Sequence, residues 1–294
     1  MPPWADTKST RSIERRRSRR AGRIAGAIAA ALAAAIAGCA TQPNYTLHLE
    51  EAHGYAAELG DREAAQRSLQ TAAVMEYTGG GEHFRARENL VVLRPANIRV
   101  EVMSAAGVVL VVTTDGGRVA IFNPAKSTLI RGPATAATLE RYARIPLPPE
   151  AAVRMLMGLV PDGSMLAFPP AAMTQPAPSN GNQTILTYRE PGGVTDELGI
   201  GDDRKLASVT EKLADGRVSY RVDYADWRDG GKGVDVPCSI AARFPMTGAT
   251  VKLIYQNPAA DPEIPDGTFV LSPQGVTKTM TLGMAGALAE SPRG

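Results

Sequence analysis

The sequence predicts a mainly β fold with helices, of the α+β class, in which an antiparallel sheet carries helices at its start and in its middle. Residues 98–102 and 218–224 alternate apolar with polar side chains, which is the period of a strand with one buried face. Turn-forming residues such as Asp115-Gly116-Gly117 separate neighbouring apolar runs, as in β-hairpins. Helix-favouring stretches precede the first run and interrupt the series once more.

The elements can be placed along the chain from these patterns. We expect a first helix over residues 50–75, interrupted near Gly60-Asp61, and two further helices over residues 135–143 and 149–157. Residues 169–183, rich in Pro, Asn and Gly, predict an exposed loop, because strand patterns resume beyond them. The predicted strands are residues 90–102, 108–112, 119–122, 128–131, 185–189, 206–213, 218–224, 240–244, 251–255 and 269–271.

The N-terminal segment resembles a bacterial lipoprotein signal. Residues 15–23 hold six arginines, residues 24–37 contain only Ala, Ile, Leu and Gly, and Ile36-Ala37-Gly38-Cys39 resembles a lipobox. The apolar run is shorter than the roughly 20 residues that span a bilayer. Cleavage before Cys39 is therefore expected, with a covalent diacylglycerol and an N-acyl chain such as palmitate on that residue. The alternative is an ordinary signal peptide, or a short membrane anchor, with an incidental cysteine.

The expected organisation is a signal peptide over residues 1–38, a lipidated tether over residues 39–48, one domain over residues 49–277 and a C-terminal tail over residues 278–294. The leader carries eight basic and two acidic residues, so the rest of the chain keeps 24 basic and 28 acidic side chains. Its net charge of −4 removes the basic character that nucleic-acid binding would require, and no nucleic-acid partner is expected.

Cysteine and histidine usage argues against a disulfide framework, a metal site or an enzyme. Beyond the leader the chain has only Cys39 and Cys238, and an acylated Cys39 leaves Cys238 without a partner. Cys238 is best interpreted as a small buried residue. The histidines at 48, 53 and 83 lack metal-ligand spacing, and no nucleophile elbow, dinucleotide or phosphate-loop motif is present. We therefore expect no metal, no cofactor beyond the acyl chains, and no catalytic activity.

Three segments give the sequence a specific resemblance. Arg-Pro-Ala-Asn-Ile-Arg at 94–99, Asp-Gly-Gly-Arg-Val-Ala-Ile-Phe-Asn-Pro at 115–124 and Phe-Val-Leu-Ser-Pro-Gln-Gly-Val at 269–276 are similar to segments of the LolA/LolB superfamily. Its members carry lipoproteins across the bacterial periplasm and receive them at the outer membrane. The resemblance implies an unclosed antiparallel half-barrel of about eleven strands around an apolar cavity, with a helical lid.

The resemblance also implies site residues and partners. Arg94 would bond the helical lid at residues 135–157, since a guanidinium offers five donors in a rigid fork. Alternation places at least some of six apolar residues on the cavity side: Ile98, Val100, Val102, Val109, Val111 and Ile121. The expected function is an outer-membrane-anchored, periplasm-facing monomer that binds lipoprotein acyl chains or phospholipid. The alternative is a lipoprotein of the same fold that scaffolds other envelope proteins.

Overall fold

The computed structural model describes residues 49–283, which form three α-helices and one β-sheet. Helix α1 is Leu49–Ala65, α2 is Ala136–Ala143 and α3 is Pro149–Leu156. Helix α2 begins where the hydroxyl oxygen of Thr135 accepts from the backbone nitrogen of Thr138 at 3.2 Å. Helix α3 begins at a proline, whose fixed φ suits a first helical turn. The short 3₁₀ helices are Pro124–Lys126, Gly163–Ala167 and Pro178–Asn180.

The sheet contains fourteen strands along the described part of the chain. They are β1 Ser68–Gly79, β2 Glu82–Leu93, β3 Asn97–Ser104, β4 Gly107–Asp115, β5 Arg118–Asn123, β6 Thr128–Pro133, β7 Ala172–Thr174, β8 Thr184–Arg189, β9 Thr195–Ile200, β10 Leu206–Lys212, β11 Val218–Asp229, β12 Asp235–Phe244, β13 Ala249–Ala260 and β14 Lys278–Thr281.

The strand order is β14-β6-β5-β4-β3-β2-β1-β13-β12-β11-β10-β9-β8-β7. Every pairing is antiparallel except that of β14 with β6. Two meanders, β1–β6 and β7–β13, are therefore joined by the long-range pairing of β1 with β13, and helices α2 and α3 lie between them in the chain. The sheet begins at β14 and ends at β7 without closing. The prediction of a mainly β, unclosed antiparallel fold is confirmed, and the strand number is fourteen where about eleven were expected.

Several element predictions were wrong in detail. Helix α1 runs through Gly60-Asp61 without interruption and ends at Ala65, and residues 68–75 belong to a strand. Leu69, Ala73, Met75 and Tyr77 are buried at alternate positions of β1, so burial against a neighbouring layer overrides the helical preference of the local sequence.

The remaining differences concern turns and the C-terminal segment. Residues 90–102 form two strands, because the chain turns at residues 94–96. Strands β7 and β9 were not predicted, and β7 lies within residues 169–183, which were expected to form an exposed loop, with its Met173 only 4% exposed. Residues 269–271 are not a strand, and the last strand, β14, begins at residue 278 and extends the sheet beyond residue 277.

The helices lie against one face of the sheet, which we call the inner face. Ala52 and Leu59 of α1, Leu139 of α2 and four residues of α3 share a single buried apolar cluster with that face. Those four residues are Ala152, Val153, Met155 and Leu156. Two tyrosines of the sheet fix the end of α3: the Tyr255 hydroxyl donates to the Leu156 carbonyl at 2.8 Å, and that of Tyr224 to the Leu159 carbonyl at 3.2 Å.

Gly158 lets the chain leave α3 beside the sheet. Its φ is +74°, in the left-handed region, and a Cβ at this position would lie 2.5 Å from the ring of Pro237. No other residue type tolerates both the backbone angle and the close approach.

One acidic side chain of the inner face, Glu88, lies in the middle of the sheet on β2. Glu88 of β2 lies opposite Val102 of β3 and Ala73 of β1, and Ala73 in turn lies opposite Tyr255 of β13. Glu88 is only 5% exposed, and no hydrogen bond or ion pair joins its carboxyl to another described residue. Burial raises the pKa of Glu88 to about 7.

The substitution Glu88→Gln should change how stability depends on pH. Because the pKa of Glu88 is about 7 when folded and 4.5 ordinarily, its contribution to stability is fully present below pH 4.5. This contribution to the free energy of unfolding falls by up to about 3 kcal/mol as pH rises from 4.5 to 7. Above pH 7 it does not change further. Glu88→Gln should therefore unfold at higher denaturant concentration than the unsubstituted protein at pH 8, with a smaller difference at pH 5. Equal differences at both pH values would contradict the assignment.

Candidate functional site

A cluster of three charged residues ties the helical cover to the sheet. Arg94, in the turn between β2 and β3, donates from Nη1 to the carbonyl oxygens of Glu63 (2.5 Å) and Gln66 (3.1 Å) and from Nη2 to Oε1 of Glu63 (2.8 Å). Arg154 of α3 donates from Nη1 to Oε1 of Glu63 at 2.6 Å and from Nη2 to Oε2. One carboxylate at the end of α1 therefore connects the β2–β3 turn to α3.

The electrostatics of this cluster depend on its partial burial. Burial by itself would raise the pKa of Glu63, but the hydrogen bond and charge of Arg154 and the charge of Arg94 outweigh it, and the net pKa is lowered. Gly163 gives Arg154 its room, since a Cβ at that position would lie 1.5 Å from its guanidinium. Charge-assisted hydrogen bonds of this kind are stronger than hydrogen bonds between neutral groups. Water competes for them more readily than it disrupts apolar packing.

The structure corrects the predicted role of Arg94. Its hydrogen bonds go to the end of α1, not to residues 135–157, and its link to α3 passes through the carboxylate of Glu63. The resemblance did not identify Glu63 and Arg154 as neighbours of Arg94, because they lie 31 and 60 positions away in the chain. The arginine is nevertheless a contact of the helical cover.

The six predicted cavity residues divide between the two faces of the sheet. Ile98, Val100 and Ile121 are buried in the inner-face cluster, and Val102 packs against it. Val111 lies on the opposite face, and Val109, at a register shift, packs in neither apolar cluster; both are corrections. Residues 108–112 are apolar throughout, so alternation could not tell which of them point inward, and the inward residues are Leu110 and Val112.

The opposite face has its own small apolar cluster. Val111 packs there with Leu129 and Leu271, and the segment around Leu271 crosses the outside of strands β4–β6 before β14. Val109 is 38% exposed and sits at a register shift between β3 and β4. The third motif of the resemblance therefore covers the outer face, away from the helices.

The inner face is filled by protein in this structure. Ile98, Val100 and Ile121 are at most 8% exposed, and α1, α2 and α3 contribute to the same buried cluster. Cys238 is buried in this cluster as well, as its sequence context indicated, and burial raises the pKa of its thiol. A lipid would therefore reach the inner face only where helices separate from it.

A second polar feature lies on the inner face near the β8–β9 hairpin. Tyr188, Asp196, Glu211 and Tyr220 occupy directly opposed positions on β8, β9, β10 and β11. We call this set the acidic row. Burial, followed by the charges of Glu211, Glu190 and Asp162, raises the pKa of Asp196 to about 7. The sequence patterns did not reveal the row, although Asp196 shares the period of Leu198 and Ile200 and so stands at an apolar-face position.

Cys39 and the predicted signal segment lie outside the described residues 49–283. Within those residues, no helix is long and apolar enough to cross a membrane. Within the same range, no group of three or more His, Cys, Asp or Glu side chains is arranged to hold a metal ion.

Comparison with known proteins shows similarity of fold. No protein-family model matches the chain, and no curated protein matches its sequence. A solved DUF1329 family protein from Desulfovibrio piger ATCC 29098 has a TM-score of 0.53 at 14% identity, covering 76% of this chain and 98% of that chain.

Two further solved structures have lower scores. A LolA superfamily protein from Nitrosomonas europaea has a TM-score of 0.49 at 12% identity, covering 75% of this chain and 97% of that chain. A putative outer membrane lipoprotein-sorting protein domain from Vibrio parahaemolyticus has a TM-score of 0.47 at 11% identity, covering 76% and 97%. The likeness to the Desulfovibrio piger protein is one of fold alone, since the sequence identity is 14%.

Proposed function

We propose that this chain is a lipoprotein anchored in the outer membrane through acyl chains on Cys39, facing the periplasm. There it binds lipoprotein acyl chains or phospholipid as a monomer, between the inner face of the sheet and its helices, and receives or inserts other lipoproteins. The motif resemblance to the LolA/LolB superfamily supports this role. The unclosed sheet and its helical cover support it as well, because they are the architecture that the resemblance implies.

The single observation that carries the proposal is the way the inner face is covered. Its apolar residues are covered by helices, and the junction of α1, α3 and the sheet passes through the half-buried group of Arg94, Glu63 and Arg154. Each buried methylene of an acyl chain contributes about 0.8 kcal/mol. An acyl chain that displaces helical side chains from the inner face replaces one set of apolar contacts with another. The net gain is therefore small, and binding is reversible, as a carrier requires.

One observation favours the alternative of a scaffold protein. The inner-face cluster is continuous across the strands and the three helices, as expected for a domain with a solid core. A scaffold of this fold would use its surfaces for protein partners and would keep the helices closed. The two functions differ in whether lipid ever reaches Val100.

A photo-crosslinking experiment separates these two functions. A photo-reactive aliphatic residue at Val100, on the inner face, should crosslink to fatty acid or phospholipid supplied in vesicles, with the adduct identified by mass spectrometry. The same residue at Val111, which is buried on the outer face of the next strand with Leu129 and Leu271, is the control and should give no adduct. Equal labelling at both positions, or none at Val100, would contradict lipid binding at the inner face and favour the scaffold.

The substitution Arg94→Leu should loosen the helical cover. Loss of its bonds to Glu63 and Gln66 should weaken the closed arrangement by about 1.5–3 kcal/mol, because hydrogen bonds to charged groups contribute that much. Amide hydrogen exchange should rise in residues 60–66 and 149–160, and uptake of a fluorescent fatty acid should accelerate, with a smaller effect on global unfolding.

Arg99→Leu provides the matched control for this experiment. Arg99 is equally exposed and also bonds a carboxylate and a backbone carbonyl, but its partners are Glu101 and Thr268 on the outer side of the sheet. Its removal should leave exchange in the helices and fatty-acid uptake unchanged. If Arg94→Leu also leaves both unchanged, the charged cluster does not control access to the inner face.

The substitution Cys39→Ser should abolish membrane anchoring. Without the thiol, no diacylglycerol can be attached, and the protein should stay uncleaved or fractionate away from the outer membrane. Intact mass and membrane fractionation measure both effects. A mature N-terminus elsewhere in the unsubstituted protein, or a mass without acyl chains, would overturn the anchoring proposal.

A further inference from the structure

The acidic row lies at the end of a strongly apolar part of the inner face. The positions two residues deeper along the same four strands are Leu186, Leu198, Val209 and Val222, each fully buried and directly opposed. The next positions outward are Tyr188, Asp196, Glu211 and Tyr220. The face thus changes in one step from aliphatic side chains to carboxyls and phenols.

Two members of the acidic row are buried without partners. Neither carboxylate oxygen of Asp196 has a hydrogen-bond partner among the described residues, although the side chain is only 1% exposed. The hydroxyl of Tyr188, directly opposite Asp196, is also buried without a partner in that part of the chain. A buried polar group normally has a partner, so these atoms indicate unused capacity to bind one.

The charges around Asp196 are all of the same sign. Glu211, Glu190 and Asp162 each act to raise its pKa, and Glu211 and Asp162 also act, after burial, to raise the pKa of Tyr220. Glu190 and Asp196 can bond one another only when one of the two carboxyls is protonated. The row therefore concentrates negative charge beside buried acceptors and supplies no basic side chain to balance it.

An open apolar groove leads to this concentration of charge. It has a volume of about 600 Å³. Its lining includes the polar residues Asp162, Glu211 and Tyr220 and the apolar residues Leu147, Phe244 and Met246. Met246 is 59% exposed and lines the groove, so its side chain is accessible to an apolar ligand there.

We propose that the acidic row and its groove bind the ammonium group of a cationic amphiphile, with the apolar chain of that molecule lying against Leu147, Phe244 and Met246. An ammonium group in the groove has a positive charge and N–H donors for the carboxylates of Asp162 and Glu211, and it would lie next to the buried carboxyl of Asp196, which is directly opposed to Glu211. The inference rests on the proposed function, because it specifies the class of lipid: one whose head group carries a free amine.

A metal ion is the less suitable occupant. No group of three or more acidic, His or Cys side chains within residues 49–283 has the arrangement of a metal site. A metal ion would also leave the apolar side of the groove without a role. An amine with an attached chain has a partner for the acidic residues and for the apolar residues of the lining.

Isothermal titration calorimetry of the full-length Cys39→Ser chain tests the proposal. Decylamine, decanoate and decanol are compared at pH 7.5 below their micelle concentrations, since the three share one chain and differ in head group. Decylamine should bind at least about tenfold more tightly than decanoate, because only the amine can form a charge-assisted hydrogen bond with the row. Asp196→Asn and Glu211→Gln should each reduce decylamine affinity by about tenfold and leave decanol binding unchanged.

Glu197→Gln is the matched control, because Glu197 lies on the same strand as Asp196 but on the opposite face, paired with Lys212. It should bind decylamine like the parent protein. Asp196→Asn removes a buried charge, so it should fold at least as well as the parent, and its thermal unfolding verifies this.

Three outcomes would overturn the inference. They are equal binding of amine and carboxylate, unchanged affinity in both row variants, and an equal loss in Glu197→Gln. Binding of decanoate or decanol without preference for the amine would overturn it while leaving the proposed lipid binding intact. Absence of binding by all three compounds would count against both.

Discussion

The inner face of the unclosed sheet must be covered, and the rest of the structure follows from this constraint. A fourteen-stranded sheet with open edges cannot bury its apolar face against itself, as a closed barrel can. Helices α1, α2 and α3 provide the second layer. Because α2 and α3 stand in the chain between the two meanders, they can reach the inner face on both sides of the β1–β13 junction.

The cover is held partly by packing and partly by polar contacts, and the two kinds differ in how they can be released. Val153 and Leu156 of α3 are buried among apolar side chains, and the hydroxyls of Tyr224 and Tyr255 fix the end of that helix. Glu63 joins α1, α3 and the β2–β3 turn through charged groups that remain partly accessible to water. Competition by water or by a charged ligand acts on this junction more readily than on the packed helix.

Three acidic side chains at or near the interior have three different electrostatic environments. Glu63 lies between two arginines and has a lowered pKa, whereas Glu88 has no counter-charge and a pKa raised to about 7. Asp196 is surrounded by other acids and also has a pKa raised to about 7. Buried ionisable groups without partners reduce stability, and perturbed pKa values are common at functional sites. Glu63 connects helices α1 and α3 to the β2–β3 turn, whereas Glu88 and Asp196 place polar groups at two separate points of the inner face.

Local patterns were sufficient for the fold class and for helices α2 and α3. A half-buried strand requires a period of two, so β3 and β11 could be identified from alternation alone. Packing between distant segments settled the rest. Residues 68–75 prefer a helix but join β1, because pairing with β2 and β13 gives their alternate side chains a buried face. The apolar run at 108–112 has no period, so only the helical layer shows which of its residues point inward. The neighbours of Arg94 and Asp196 likewise depend on strand register and long-range packing, which no local pattern contains.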